Sequence, residues 1–252
     1  MEEHKMAKKK QKSRKRVNWN NVLKIVMLLL VIILGAMGYN VEGLLPQDFL
    51  QTDYTGTVPS GVKETEDAAY IILDDNQPSF TDKELQQEPF EYYSELDYLG
   101  RCGPATAMIG IELMPTEERG SIGQVKPTGW HTVKYDVVDG KYLYNRCHLI
   151  GYQLTGENAN VKNLITGTRF LNVEGMLPFE NMVAQYIEYT GNRVLYRVTP
   201  VYEGENLLAS GVQMEAYSVE DNGQGICFNV YVCNAQPGVM INYANGESWL
   251  AE

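Results

Sequence analysis

Lys141-Tyr-Leu-Tyr-Asn-Arg-Cys-His-Leu-Ile-Gly-Tyr-Gln-Leu154 is the stretch on which the reading of this chain turns. It holds His148, one of three histidines, two residues after Arg146, in a run rich in tyrosine and leucine that predicts a strand. Side chains alternate faces along a strand, so Tyr142, Tyr144, Arg146 and His148 are expected on one side. An imidazole and a guanidinium aimed at the same point suit an anionic ligand. The plainer alternative is a half-exposed strand with a lone histidine and a solvated arginine, and the stretch by itself leaves both open.

The 252-residue chain has room for one domain with attachments, and its 44% apolar content supports a sizeable core. The formal charge of −11 is unevenly distributed. Residues 1–24 carry nine cations against Glu2 and Glu3, which leaves 12 cations and 30 acids beyond them, a formal −18. Such a balance argues against broad electrostatic capture of a polyanion but not against a small local cationic site.

The basic tail of residues 1–24 precedes an apolar run at 25–39, and from Val22 to Tyr39 the only charge is Lys24. That length lies between a signal segment and a short spanning helix. The cations place the amino terminus in the cytoplasm and the chain beyond Tyr39 outside. Gly35-Ala-Met offers only a weak cleavage site, so a retained single-pass anchor is expected, with secretion as the alternative. Residues 40–67 read as a linker, and the globular domain is expected over 68–252.

Within it, Tyr70–Leu73 is expected to be the first strand, and Thr81 with Glu84 forms a capping-box pattern at a helix start. Ala105–Leu113 predicts a buried strand, and Arg119 comes next in a polar loop beside two glutamates. Gly129-Trp-His reads as a tight aromatic turn with His131 as a structural partner. After Pro178 the apolar residues Phe179, Met182, Val183 and Tyr186 fall at helical spacing, with Gly191 as the stop. Three strands are then expected over 193–202, 207–217 and 225–232.

The set Arg146-x-His148, Asn163, Asn172 and Glu180 resembles the DNA/RNA non-specific endonuclease family, ββα-metal nucleases of the exported or membrane-anchored streptococcal type. The resemblance spans roughly residues 68–245, with its strong motifs at 145–180. The family's Asp-Arg-Gly-His signature reads Asn145-Arg-Cys-His here, with the arginine and histidine kept. It implies an α+β fold: a ββα-metal core with a central antiparallel sheet and flanking helices, here preceded by the expected transmembrane helix. It also implies that His148 activates water, that Asn172 is the direct protein ligand of Mg²⁺ (Mn²⁺ being the alternative ion), and that Glu180 orients metal-bound water. Arg146 and Arg119 would contact the scissile phosphate, and Asn163 would support the site. The implied partners are DNA and RNA as substrates, and the membrane through the amino-terminal helix.

This assignment is chemically coherent. Phosphodiester hydrolysis needs an activated water, neutralisation of charge on the phosphoryl oxygens and help for the leaving oxygen. Neutral imidazole takes protons near neutrality, and Mg²⁺ keeps several waters and needs few protein ligands. Two other functions compete with it. One is an exported cysteine hydrolase using Cys102 or Cys147 with His131 or His148; the other is a non-catalytic surface module that captures DNA. Cys227 and Cys233 are too far apart on one strand to pair with each other, so bridges to Cys102 and Cys147 or four free thiols both fit the spacing.

Overall fold

The computed structural model describes residues 69–251. The basic tail, the expected anchor at 25–39 and the linker to residue 67 lie outside the described residues. Among the described residues no helix is long and apolar enough to cross a membrane.

The first described strand is β1 (Tyr70–Ile72). A short helix α1 (Asp82–Leu85) is next, and the expected capping box forms: Thr81 accepts from the Glu84 backbone while the Glu84 carboxylate receives the Thr81 N–H. Strands β2 (Phe90–Tyr93) and β3 (Ala105–Ile109) come after it. The expected strand over 105–113 is shorter than its apolar run, because the chain turns after Gly110 into a 3₁₀ turn at Ile111–Leu113. Strands β4 (Tyr144–His148) and β5 (Leu164–Thr168) flank the short helix α2 (Tyr152–Thr155). A π-helical segment, Leu171–Met176, leads into α3 (Leu177–Thr190). The last elements are β6 (Val194–Val201), β7 (Gly211–Ser218), β8 (Cys227–Cys233), β9 (Val239–Ile241) and β10 (Ser248–Leu250).

Six strands form one antiparallel sheet in the order β1-β8-β7-β6-β3-β2. The strand carrying His148 is not in it: β4 pairs only with β5, as a separate antiparallel ribbon. One main core joins both pieces, holding Val183 and Ile187 of α3 together with Cys147 and Ile165 of the ribbon and Tyr196, Met214 and Val230 of the sheet. Phe179 packs against Phe228 at 4.9 Å and edge-on to Tyr70 at 5.0 Å. Each such buried side chain contributes about 1.5–3 kcal/mol.

Helix α3 begins with Pro178 in its first turn and ends at Gly191, whose φ of +72° suits a residue without a Cβ. Its buried stripe is rotated from the expected one. Met182 is 47% exposed, and the inward face is Phe179, Glu180, Val183, Ala184 and Ile187. That rotation carries an acid into the protein.

Strand β7 starts at Gly211 rather than near 207, because the Leu207 and Leu208 N–H groups bond the Ala244 and Tyr243 carbonyls instead of a neighbouring strand. The β9–β10 hairpin was not anticipated in the sequence. Its strands are three residues each, too short for alternation to register.

Candidate active site

A cavity of about 510 Å³ opens where the ribbon, α2 and the π-segment meet. His148, Asn172, Glu180, Arg119 and Arg146 all line it. Residues far apart in sequence are thus brought together by one strand, one loop and one helix.

His148 is buried at the end of β4, and its two ring nitrogens have different partners. Nε2 lies 2.7 Å from the Asn158 carbonyl oxygen, and Nδ1 lies 3.2 Å from Arg119 Nη2. A carbonyl only accepts and a guanidinium only donates, so the proton sits on Nε2 and Nδ1 carries the lone pair. Burial, with the Arg119 charge acting in the same direction, pulls the His148 pKa down to about 4. The imidazole is therefore neutral at pH 7, with its free lone pair at the arginine.

Asn163 is fully buried and acts through the backbone. Its Oδ1 accepts from Ile150 N at 2.9 Å, and its Nδ2 donates to Ile150 O at 3.0 Å. These bonds fix the chain just beyond His148. They also hold Gly151 against Glu180: a Cβ at Gly151 would come within 2.6 Å of Glu180 Oε2, so only glycine allows this approach.

Asn172 and Glu180 share the cavity because of the π-segment. Eight residues of α-helix leave two side chains roughly 80° apart; the wider π turns take up part of that offset. Pro178 favours this irregularity, since it has no N–H for a regular helical bond and its ring clashes with the preceding turn. Glu180 is 9% exposed, and burial pushes its carboxyl up to about 7 despite an opposing effect from Arg119. A buried carboxyl and an amide side chain lining one cavity carry hard oxygen donors, which fit a divalent ion such as Mg²⁺ that keeps most of its waters. Asn172 and Glu180 are the residues that would hold it.

The two arginines have different partners in the structure. Arg146 donates from Nε to the Val125 carbonyl and from Nη2 to the Gly123 carbonyl at 2.9 Å, and its guanidinium stacks on Trp130 at 4.0 Å. It clamps the 123–130 loop onto the ribbon while lining the cavity. Arg119, which no tight motif fixes, is the cation that reaches His148.

Alternation along β4 holds for Tyr144, Arg146 and His148, with Cys147 turned into the core. Asn145 also lines the cavity, although it lies on the opposite face. Its cross-strand partner is Gly167, which has no side chain to cover it. Gly167 likewise makes room for Cys147, whose Cβ would lie 2.8 Å from a Cβ added there. The Cys147 thiol is 2.9 Å from Asn172 Oδ1 and 3.6 Å from Met176 Sδ.

Burial holds the Cys147 thiol far above its usual range and raises Cys102 to about 11. Cys102 points its thiol at the Val161 and Leu164 carbonyls. Neither is an activated nucleophile. None of the four cysteines forms a disulfide, and His131 bonds the Asn245 carbonyl at 3.0 Å, the structural place expected for it. Two cavity residues were passed over in the sequence: Tyr142, taken only as part of the strand face, and Arg169. The signal for Arg169 was its position three before Asn172, since residues at that spacing share a helix face.

A histidine with a directed lone pair, two oxygen donors for a hard cation and a set of arginines, gathered on a ribbon and a helix, define a ββα-metal type of site. Residues 78–220, more than half of the chain, match the DNA/RNA non-specific endonuclease family, and the chain belongs to that family. It is a nuclease, and nucleic acid is its substrate. Among solved structures it is similar to NucA from Streptococcus agalactiae at 26% identity and a TM-score of 0.64, over 73% of this chain. The metal-free form of NucA is covered over 87% of its length and the magnesium-bound form over 89%. Sda1 nuclease with bound zinc is 30% identical with a TM-score of 0.58, over 64% of this chain and 81% of that one. An extracellular endonuclease at 20% identity and a TM-score of 0.52 shares the fold.

Proposed function

We propose that this protein is a Mg²⁺-dependent endonuclease that hydrolyses phosphodiester bonds of DNA and RNA with little sequence preference, with Mn²⁺ able to replace Mg²⁺. The observation that carries the reading is the tautomer of His148: the Asn158 carbonyl holds the proton on Nε2, so Nδ1 faces the cavity able to accept one. His148 takes a proton from the attacking water. Arg119 rests on that same nitrogen without substrate, and an incoming phosphate gives its guanidinium a stronger, charged acceptor. Its transfer to phosphate frees the base at the moment substrate binds. Arg146, held by its two carbonyls, presents a fixed positive face to the same phosphate. A bound divalent ion supplies charge neutralisation on the phosphoryl and leaving oxygens. Support for a metal comes from the buried Glu180 carboxyl and the half-buried Asn172 amide lining one cavity, and from the magnesium-bound and zinc-bound relatives.

The placement we propose is the outer face of the cell membrane, with residues 25–39 as the anchor and the tail inside, or free secretion if that segment is cleaved. The basic flank and the apolar run support it.

The test is cleavage of supercoiled plasmid and of single-stranded RNA by the full chain in detergent, with Mg²⁺, Mn²⁺ or EDTA, beside His148→Ala. Metal-dependent nicking that drops by about 10²–10⁴-fold in the variant is the expected result. Wild-type cleavage that persists undiminished in EDTA, or a variant as active as wild type, would overturn the mechanism.

A further inference from the structure

A second, smaller cavity of about 190 Å³ adjoins the first and shares three of its residues, Tyr142, Asn145 and Arg169. Asp139 and Gly140 complete its lining. None of the residues given a part in hydrolysis lies in it. From this juxtaposition we infer that the smaller cavity is a subsite for one unpaired nucleotide next to the scissile phosphate, with Tyr142 stacking on the base and Arg169 holding the flanking phosphate. The inference rests on the reading of the main cavity as the place where phosphodiesters are cleaved.

The residues are built for that task. Tyr142 is 48% exposed, and Lys134 Nζ stands 4.4 Å from the centre of its ring. A ring covered on one side by a cation and open on the other is a stacking platform with a positive neighbour. It is fixed in place, because Tyr142 and Lys134 form a β-bridge and the chain turns tightly beside them at Gly140 and Lys141, both with φ of +68°.

Arg169 is anchored through its backbone N–H to the Leu143 carbonyl, and its guanidinium meets Asp139 Oδ2 at 3.0 and 3.3 Å. The Asp139 side chain is 82% exposed, so the pair is solvent-facing and adds little to folding stability. What the pair does is hold a guanidinium at the junction of the two cavities, ready to exchange a carboxylate for a phosphate. The nearby Lys141 charge is matched by Asp136 at 2.9 Å. Stacking requires the base to leave its duplex partner, so the subsite favours single strands and frayed or unpaired positions.

Binding without cleavage tests this independently of the chemistry. The full chain in detergent and EDTA is titrated into two fluorescein-labelled probes, a 12-residue oligothymidylate and an abasic phosphodiester of equal length, and anisotropy is read. Tyr142→Ala is expected to weaken oligothymidylate binding by about 5–20-fold and leave the abasic probe unchanged. Arg169→Gln should weaken both about fivefold and flatten the salt dependence by close to one phosphate contact. Asp139→Asn, which releases the guanidinium, should tighten both. The subsite is overturned if Tyr142→Ala affects both probes equally or neither, or if Arg169→Gln leaves both affinities intact while circular dichroism shows the variants folded. Since no cleavage is read, a failure of hydrolysis would sink the proposed reaction and leave this test standing.

Discussion

The Cys147 thiol donates to Asn172 Oδ1 across 2.9 Å, so the residue standing in the glycine position of the signature touches the amide proposed to bind the metal. The contact fixes the orientation of the Asn172 amide by tying its oxygen to a core thiol. An amide oxygen has two lone pairs, and one stays free for an ion when the other accepts the weak thiol donor.

Cys147→Ala removes that donor. The expected result is a Mg²⁺ requirement for cleavage raised roughly 3–10-fold with little change in saturated rate, because neighbouring groups orient a metal ligand without forming bonds to the metal. Cys147→Ser keeps a donor and should remain near wild type. Metal titration of initial rates decides; equal half-saturation in both variants would show that the thiol merely fills space against Gly167.

Glu180→Gln separates the cost of the site from its use. Burial raises the Glu180 carboxyl to about 7, so the folded state holds its proton more tightly than the unfolded chain. Stability from this group is therefore lost as pH rises from about 4.5 through about 7. At pH 8 in EDTA the glutamine variant should be more stable by about 3 kcal/mol, read as a higher Tm. With metal it should be nearly inactive. A variant less stable than wild type in EDTA would count against the buried-carboxylate account.

His148 runs the other way. Its folded pKa of about 4 lies below the unfolded value of about 6.5, so stability is complete above that range and declines as pH falls from about 6.5 toward about 4. His148→Gln should lose this part of the pH dependence. Urea midpoints measured from pH 4 to 8 give the comparison, and parallel curves for the two proteins would refute the depressed pKa.

Asn163→Ala strips both hydrogen bonds from the Ile150 backbone inside the core. Each buried group left unpaired costs about 1–3 kcal/mol. A destabilisation of roughly 2–5 kcal/mol is expected in denaturant melts. Activity per folded molecule should also fall, because the turn aligning Gly151 with Glu180 is loosened. Full activity would show that the turn holds its shape without the clamp.

Local chemistry made much of this legible beforehand. The capping box at Thr81 and Glu84, the Gly191 stop and the strand around Arg146 and His148 obey short-range rules, because each depends on neighbours within a few residues. The spacing from His148 to Asn163, Asn172 and Glu180 identified the family. Periodicity misjudged the rotation of α3, since Met182 fits an apolar stripe as well as Ile187 does and only packing against the ribbon chose between them.

The sequence by itself determined the family and with it the nuclease class, and its resemblance to that family pointed to the histidine and the asparagine–glutamate pair that we propose carry the reaction. The tertiary structure alone decided what each touches. It set the His148 tautomer through a carbonyl ten residues away, gave the contact with His148 to Arg119, and put Cys147 against Asn172. It also brought Tyr142 and Arg169 to the cavity edge. The reason is physical: protonation, hydrogen-bond partners and exposure are set by which surfaces are excluded from water together, and no separation along the chain specifies that.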